Sequence, residues 1–299
     1  MSLAWPNLSD LLVSADDAAP IGLVGAPLAA GSVTPGRCDL APQALRAILS
    51  RIGRYDIHTG RECGRAIADL GDVSLGDLTI EKATPLIRDR VADSVESHVL
   101  TVLIGGNNAV TRPGLHGMAS ANGIVLADVG LITLDAHFDM RSTADGLANG
   151  NPVRALLEDG LPGRNIVQMG LAPFANSKAM HDDAQAAGNL VVTLAEFEHT
   201  GVAASVGCAL DRLSHCSAIM VDCDIDVIDR SQFPAAPGAR AGGMAARDFF
   251  AASRLLAANP RVKIIDLTEW DPPLDPTDLS ALTAGRWLAE VVAGFEARN

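Results

Sequence analysis

The sequence is short of positive charge. Its 299 residues include 23 lysines and arginines against 36 aspartates and glutamates, a formal net charge of −13. Binding along a phosphate backbone requires a basic face, so the composition argues against a nucleic-acid partner. Nowhere do 18 apolar residues run together, and the first twenty residues hold Asp10, Asp16 and Asp17 but no basic side chain. Neither a membrane span nor a secretory leader is read here. The five cysteines are odd in number and lack paired spacing, which suits a reduced cytoplasmic chain and not a disulfide framework. Linkers rich in proline and serine, charge runs and internal repeats are missing as well, so one domain over residues 1–299 is expected. With 48% apolar residues and no polar tract, disorder is ruled out. A chain of this length buries roughly three quarters of its unfolded surface.

What the sequence does contain is a succession of short apolar runs separated by helix-like segments. Strands are expected near Ile21–Gly25, Ile67–Leu70, Val99–Ile104, Leu131–Leu134, Ile166–Met169, Leu190–Thr193, Ala218–Val221 and Lys263–Leu267. Several are unbroken runs without alternation, as strands covered on both faces require. Helices are expected at Pro42–Leu49, Glu81–Glu96, Pro152–Asp159, Ser177–Ala187, Val202–Leu213, Ala245–Ala258 and Thr277–Ala297. Alternation of this kind implies parallel strands joined by right-handed crossovers. The predicted fold is therefore a three-layer α/β/α domain with a mostly parallel sheet of about eight strands.

Two of these strands run straight into clusters of ligand-type side chains. After Leu131–Leu134 come Asp135, His137 and Asp139 at alternate positions; after Ala218–Val221 come Asp222, Asp224, Asp226 and Asp229. One acidic pair at a strand end is explained equally well as a helix cap or turn. Two separate clusters, one containing histidine, are not. Carboxylates this crowded repel, and a buried one needs compensation. A divalent cation supplies it, and carboxylate oxygen with neutral imidazole suits manganese, iron, nickel or zinc. The carboxyl ends of parallel strands are also where an open α/β sheet gathers its functional groups.

On these residues the sequence resembles the ureohydrolases, the superfamily of arginases, agmatinases and formimidoylglutamases. Its four motifs occur in order as Gly105-Gly106-Asn107-Asn108-Ala109, Asp135 to Asp139, Asp224 to Asp229, and Glu269-Trp270-Asp271-Pro272. Longer stretches resemble the formimidoylglutamase branch: Ser32 to Asp39, the Asp-Ala-His-Phe-Asp run followed by Arg141, Phe174 to Lys178, and Asp226 to Arg230 leading to Pro237-Gly238-Ala239-Arg240. The resemblance implies an arginase-like fold and a centre of one or two Mn2+ ions. Asp135 and Asp224 bridge, His137 and Asp226 complete the second site, and Asp139 and residue 108 the first. The family's histidine at that last position is Asn108 here, a weaker neutral ligand, and the preceding family aspartate is Asn107. His116 could replace the missing imidazole only by a loop excursion.

The implied reaction is hydrolysis of a linear amidine by metal-activated water. Asp139 orients the water and moves its proton, and Glu269 holds the amidinium. If the substrate is formimidoylglutamate, Arg154 and Arg240 are the candidates for its carboxylates. Asn149, where arginases carry a histidine, argues against arginase and is taken as a further substrate contact. Three readings remain: a formimidoylglutamase, another ureohydrolase acting on agmatine or a guanidino acid, and a metal-depleted relative that no longer catalyses. The expected partners are a small amidine and further copies of the chain, in the cytoplasm. His58, His98, His181, His199 and His215 are read as lying away from the site, Cys223 as pointing away from the metals, and Cys38 as no nucleophile.

Overall fold

The computed structural model describes residues 5–298; the remaining five residues of the expected 1–299 domain lie outside the described residues. In chain order the strands are β1 (Leu12–Ser14), β2 (Ile21–Ala26), β3 (Tyr55–Asp56), β4 (Arg61–Glu62), β5 (Ile67–Asp72), β6 (Leu100–Gly105), β7 (Val129–Leu134), β8 (Ile166–Leu171), β9 (Leu190–Thr193), β10 (Ala218–Cys223) and β11 (Val262–Leu267). The helices are α1 (Ala41–Ile48), α2 (Ile80–Ser97), α3 (Thr111–Ala121), α4 (Pro152–Glu158), α5 (Lys178–Ala187), α6 (Leu194–Thr200), α7 (Val202–Arg212), α8 (Ala246–Ala257) and α9 (Leu279–Glu296). Nine strands form one parallel sheet in the order β1-β5-β2-β6-β11-β10-β7-β8-β9, and β3 and β4 make a small antiparallel hairpin.

All eight expected strands lie in the sheet. The ninth, β1, is a three-residue edge strand paired with β5, too short to leave a pattern. Two apolar cores flank the sheet. One includes Leu45 of α1, Phe197 of α6, Val206 of α7, Phe249 of α8 and Trp287 of α9. The other includes Ile87 of α2, Leu115 of α3, Leu156 of α4 and Ala184 of α5. Because side chains alternate across each strand, Val221 and Ile265 face the first core, Met220 and Ile264 the second.

Two helices, α3 and α6, are absent from the sequence expectation. In α3, Pro113, Gly114 and Gly117 lower helix propensity, but the tertiary packing overrides it. Proline is tolerated in the first turn, and a Cβ on Gly117 would stand 2.5 Å from the Arg88 carbonyl oxygen of α2. The glycine lets the two helices touch. In α6, Thr193 and Glu196 form a reciprocal capping box, a signal that sequence alone does carry. No helix among the described residues is long and apolar enough to cross a membrane.

The chain first builds the half of the sheet that ends in β6, and then crosses over two strands to β7. That jump leaves β6, β11, β10 and β7 side by side where strand order changes direction, the place where an open α/β sheet forms a crevice.

Candidate metal centre

The carboxyl ends of those four neighbouring strands carry the site. Asn107 and Asn108 follow β6, Thr268 and Glu269 follow β11, Asp224 and Asp226 follow β10, and Asp135 to Asp139 follow β7. Asn108 and Glu269, 161 positions apart in sequence, thus touch. They meet because β6 and β11 are in register, Ile104 pairing with Leu267; in the same way Cys223 pairs with Leu134 and Asp224 bridges to Thr268. Asp139 and Glu269 both adopt left-handed backbone, φ 52° and 61°. For residues with a Cβ this is uncommon, and it clusters here at the site.

Five of the predicted ligands come together. Asp135, His137 and Asp226 form one group whose ligand atoms lie within 4.8 Å of one another, and Asp135, Asp139 and Asp224 form a second. Asp135 belongs to both. His137 Nδ1 lies 3.1 Å from Asp226 Oδ2 and 3.5 Å from Asp135 Oδ1. Backbone N–H groups orient the carboxylates, His137 donating to Asp135 Oδ1 at 2.7 Å and Asp226 to Asp224 Oδ1 at 3.0 Å. Gly238 makes room beside them, since a Cβ there would sit 1.9 Å from Asp226 Oδ2.

The electrostatics say that this group holds more acid than His137 alone can offset. Burial, reinforced by the neighbouring carboxylates, holds Asp139 and Asp224 well above the usual carboxylate range and pushes Asp135 up to about 6. Glu269 is pushed up to about 7, mainly by burial and against the donors that bind it. Burial disfavours charge on His137, yet the charges of Asp226 and Asp135 push it up to about 12. Asp226 Oδ1 is buried without a hydrogen-bond partner among the described residues. Crowded acids that cannot ionise together, with an orphaned oxygen among them, fit divalent ions bound by carboxylate and imidazole.

Asn108 is arranged differently from the expectation. Its side-chain nitrogen, not its oxygen, faces the acids and donates to Asp139 Oδ2 at 2.5 Å. The oxygen accepts from Thr111 Oγ1 at 2.8 Å and Thr268 Oγ1 at 3.0 Å. A carboxylate accepts only, so the amide must present its donor to it. Asn107 does not reach the acids; its nitrogen donates to Ala30 O and Ser32 Oγ, tying the loop ahead of Val33 to the site. Glu269 Oε1 accepts from the Asn108 backbone N–H at 2.7 Å and from Asn149 Nδ2 at 2.9 Å.

Above the acids opens a cavity of about 310 Å³ lined by His137, Asp139, Asp224, Asp226 and Glu269 at its floor, and by Arg141 and Arg240 among its remaining walls. Arg240 and Asn149 both line this cavity. Arg154 does not: its guanidinium pairs with Asp183 and reaches the Met140 carbonyl, outside the cavity lining. Arg141 lines the cavity instead. It lies close over Gly150, where a Cβ would stand 2.8 Å from its Cδ, and forms no ion pair among the described residues. Its position directly after the ligand run is the sequence signal that points to it.

The other expectations divide. His116 sits on α3 and bonds Asp159 Oδ2 at 2.8 Å, away from the acids. His181 is nearer than predicted, stacked on Phe138 with ring centroids 5.4 Å apart. Of the four clustered aspartates only Asp224 and Asp226 reach the site. Asp229 accepts from Ser231 and Gly242 in a surface turn. Asp222 faces the α2–α5 side beside Asp266, where burial raises both carboxyls. Cys223 packs toward Ser253 on the opposite side, and burial raises the Cys38 thiol.

The chain is similar to known proteins along nearly its whole length. A formimidoylglutamase of Halalkalibacterium halodurans is 28% identical over 279 residues, covering 91% of this chain and 86% of that protein. The crystal structure of Bacillus subtilis formimidoylglutamase superposes with a TM-score of 0.93 at 25% identity, covering 100% of this chain and 94% of that one. That of Trypanosoma cruzi formiminoglutamase with Mn2+ gives 0.90 at 24% identity, with 98% and 99% covered. The Arginase family model matches residues 19–294, nearly the whole chain; the chain belongs to the Arginase family.

Proposed function

We propose that this protein is a metal-dependent hydrolase of linear amidines, and that it cleaves N-formimidoylglutamate with water to glutamate and formamide. The observation that carries this reading is the polarity of the cavity. Its floor is acidic, with Asp139, Asp224, Asp226 and Glu269, and its walls carry two guanidiniums, Arg141 and Arg240, without acidic partners among the described residues. A cationic amidine at one end and two carboxylates at the other match that distribution.

Asp135, His137, Asp139, Asp224 and Asp226 would hold the metal, manganese in this reading. When bound, such ions act as Lewis acids and lower the pKa of water enough to make it a nucleophile near neutral pH. The remaining work falls to the chain. Glu269 Oε1 is occupied by the Asn108 and Asn149 donors, which leaves Oε2 to pair with the amidinium and fix its carbon over the floor. Asp139 Oδ2 is held by Asn108, so Oδ1 is the oxygen turned toward the cation and the attacking water, and the Asp139 carboxylate takes up the proton that this water gives away. Returned to the substituted nitrogen, that proton lets the C–N bond break with glutamate leaving as the amine and formamide forming from the carbon. Arg141 and Arg240 bind one carboxylate each.

A cytoplasmic location and assembly with further copies belong to the same proposal, the former supported by five cysteines that are all free thiols. The test is incubation of the purified, Mn2+-loaded protein with formimidoylglutamate. Formamide and glutamate should appear in equal amounts. No turnover by metal-loaded protein rejects the reading, and urea from a guanidino acid or agmatine instead moves the activity to another branch of the family. A metal content near zero at saturation favours a non-catalytic relative.

A further inference from the structure

We infer that Thr111 and Thr268 are positioning residues for the metal centre, acting through the Asn108 amide. Three elements converge on that amide: Thr111 at the start of α3, Thr268 after β11, and Asp139 after β7. Both hydroxyls and the amide are buried, Thr111 and Thr268 at 0% exposure and Asn108 at 1%. The two hydroxyls donate to the amide oxygen at 2.8 and 3.0 Å while its nitrogen donates to Asp139 Oδ2 at 2.5 Å.

Each partner restricts the next. An amide oxygen in a dry site needs donors, and here only the two hydroxyls supply them among the described residues. Left without them it would carry the desolvation cost of an unpaired polar group, about 1–3 kcal/mol. Satisfied by them, the oxygen stays turned inward and the nitrogen stays on Asp139. That bond fixes which Asp139 oxygen remains for a cation, as outer hydrogen bonds orient the ligands of metal sites generally. The threonines thus settle whether residue 108 acts as a donor to a ligand or as a ligand itself. Their backbone placement adds a second constraint, because Thr268 immediately precedes Glu269, whose Oε1 is held by the same Asn108 through its N–H. One residue links the metal floor to the amidine-binding carboxylate.

The inference rests on the metal-binding part of the proposed function but not on the identity of the substrate, and its test reads Mn2+ affinity directly. Calorimetric Mn2+ titration of the full-length protein is compared for wild type, Thr111→Val, Thr268→Val and their combination. Each valine keeps the shape and removes the hydroxyl, and the double variant should bind Mn2+ about 10-fold more weakly, within the 10–100-fold range of such outer-shell changes. Thr111→Ser and Thr268→Ser, which retain the hydroxyl, should remain within about twofold of wild type. In an Asn108→Ala background the valine substitutions should have less than a twofold further effect, because their target is gone. Double-valine protein with wild-type affinity overturns the inference; so does an undiminished 10-fold loss in the Asn108→Ala background, or a 10-fold loss in the serine variants. Wild-type protein that binds Mn2+ yet hydrolyses no amidine overturns the substrate reading alone and leaves this one standing.

Discussion

The floor and the mouth of the cavity are built by different means. At the floor, Asp135, Asp224 and Glu269 stand within two residues of the ends of adjacent parallel strands, and their placement is fixed by the ladder beneath them. At the mouth, Arg141 and Arg240 lie on irregular segments between elements, and both are exposed. A strand end is a position that hydrophobic patterning identifies, because the apolar run points at it. A loop residue is placed by contacts that no local pattern reports. The buried acids are therefore on the rigid part, and the exposed guanidiniums on loops, where recognition commonly resides.

Breaking the floor should cost most. Asp135→Asn removes the one carboxylate common to both ligand groups. Mn2+ binding and turnover should fall by more than the roughly 10–100-fold typical of an outer-shell change, checked by elemental analysis and a formamide assay. Glu269→Gln is expected to separate the functions of the floor. Its loss of a buried charge opposite the amidinium is worth about 2–5 kcal/mol in kcat/KM, while Mn2+ content stays at the wild-type value. Equal loss of metal would mean that Glu269 belongs to the ligand set instead.

Changes at the mouth should be smaller and of another kind. Arg141→Ala and Arg240→Ala should each raise KM for formimidoylglutamate about 10-fold with kcat nearly unchanged, the signature of uniform binding. A charge-assisted hydrogen bond is worth roughly 1.5–3 kcal/mol, reduced here because both guanidiniums face water. The sharper comparison is Arg154→Ala. That side chain is already engaged by Asp183, so KM should change less than twofold. A large effect at Arg154 with none at Arg141 would reverse the assignment.

The same contrast explains what is legible in the sequence. Apolar runs locate eight strands of the nine, and the acidic clusters at the ends of two of them lead to the buried acids that gather on the cavity floor. Fold-level physics makes this possible: a parallel strand buried on both faces must be apolar, and acids at its end have few structural uses. Asn108 is identified by its motif, but its orientation is not, because ligand chemistry says which atoms could bind a cation and not which atom faces it. That depends on two threonines, one on a helix hidden by its own glycines and proline. Arg154 escapes sequence reasoning for a related reason, since the ion pair with Asp183 is a tertiary contact.

The weakest of the expected effects tests whether the floor is under strain without metal. Asp135 and Glu269, held mainly by burial near 6 and 7, carry more protons in the folded chain than in the unfolded one between about pH 4 and 7. Stability falls with rising pH wherever the native state binds the extra protons. His137 has the same sign: raised to about 12, its contribution is complete below the unfolded value and declines as pH rises toward the folded one. Asp56 and Asp275, held down to about 2 despite burial by Arg254 and by Thr277 and Ser280, work in the opposite sense, but only below pH 4. Metal-free protein should therefore melt lower at pH 8 than at pH 5, by about 3 °C or more, since each kilocalorie moves the midpoint of a chain this size by roughly 2–4 °C. Saturating Mn2+ replaces those protons with a cation and should abolish or reverse the slope, because ligand binding to the native state adds stability that grows as the carboxylates ionise. Thermal melts with a chelator and with Mn2+ decide it. A metal-free midpoint that does not fall between pH 5 and 8 would mean that the floor acids are compensated within the chain itself.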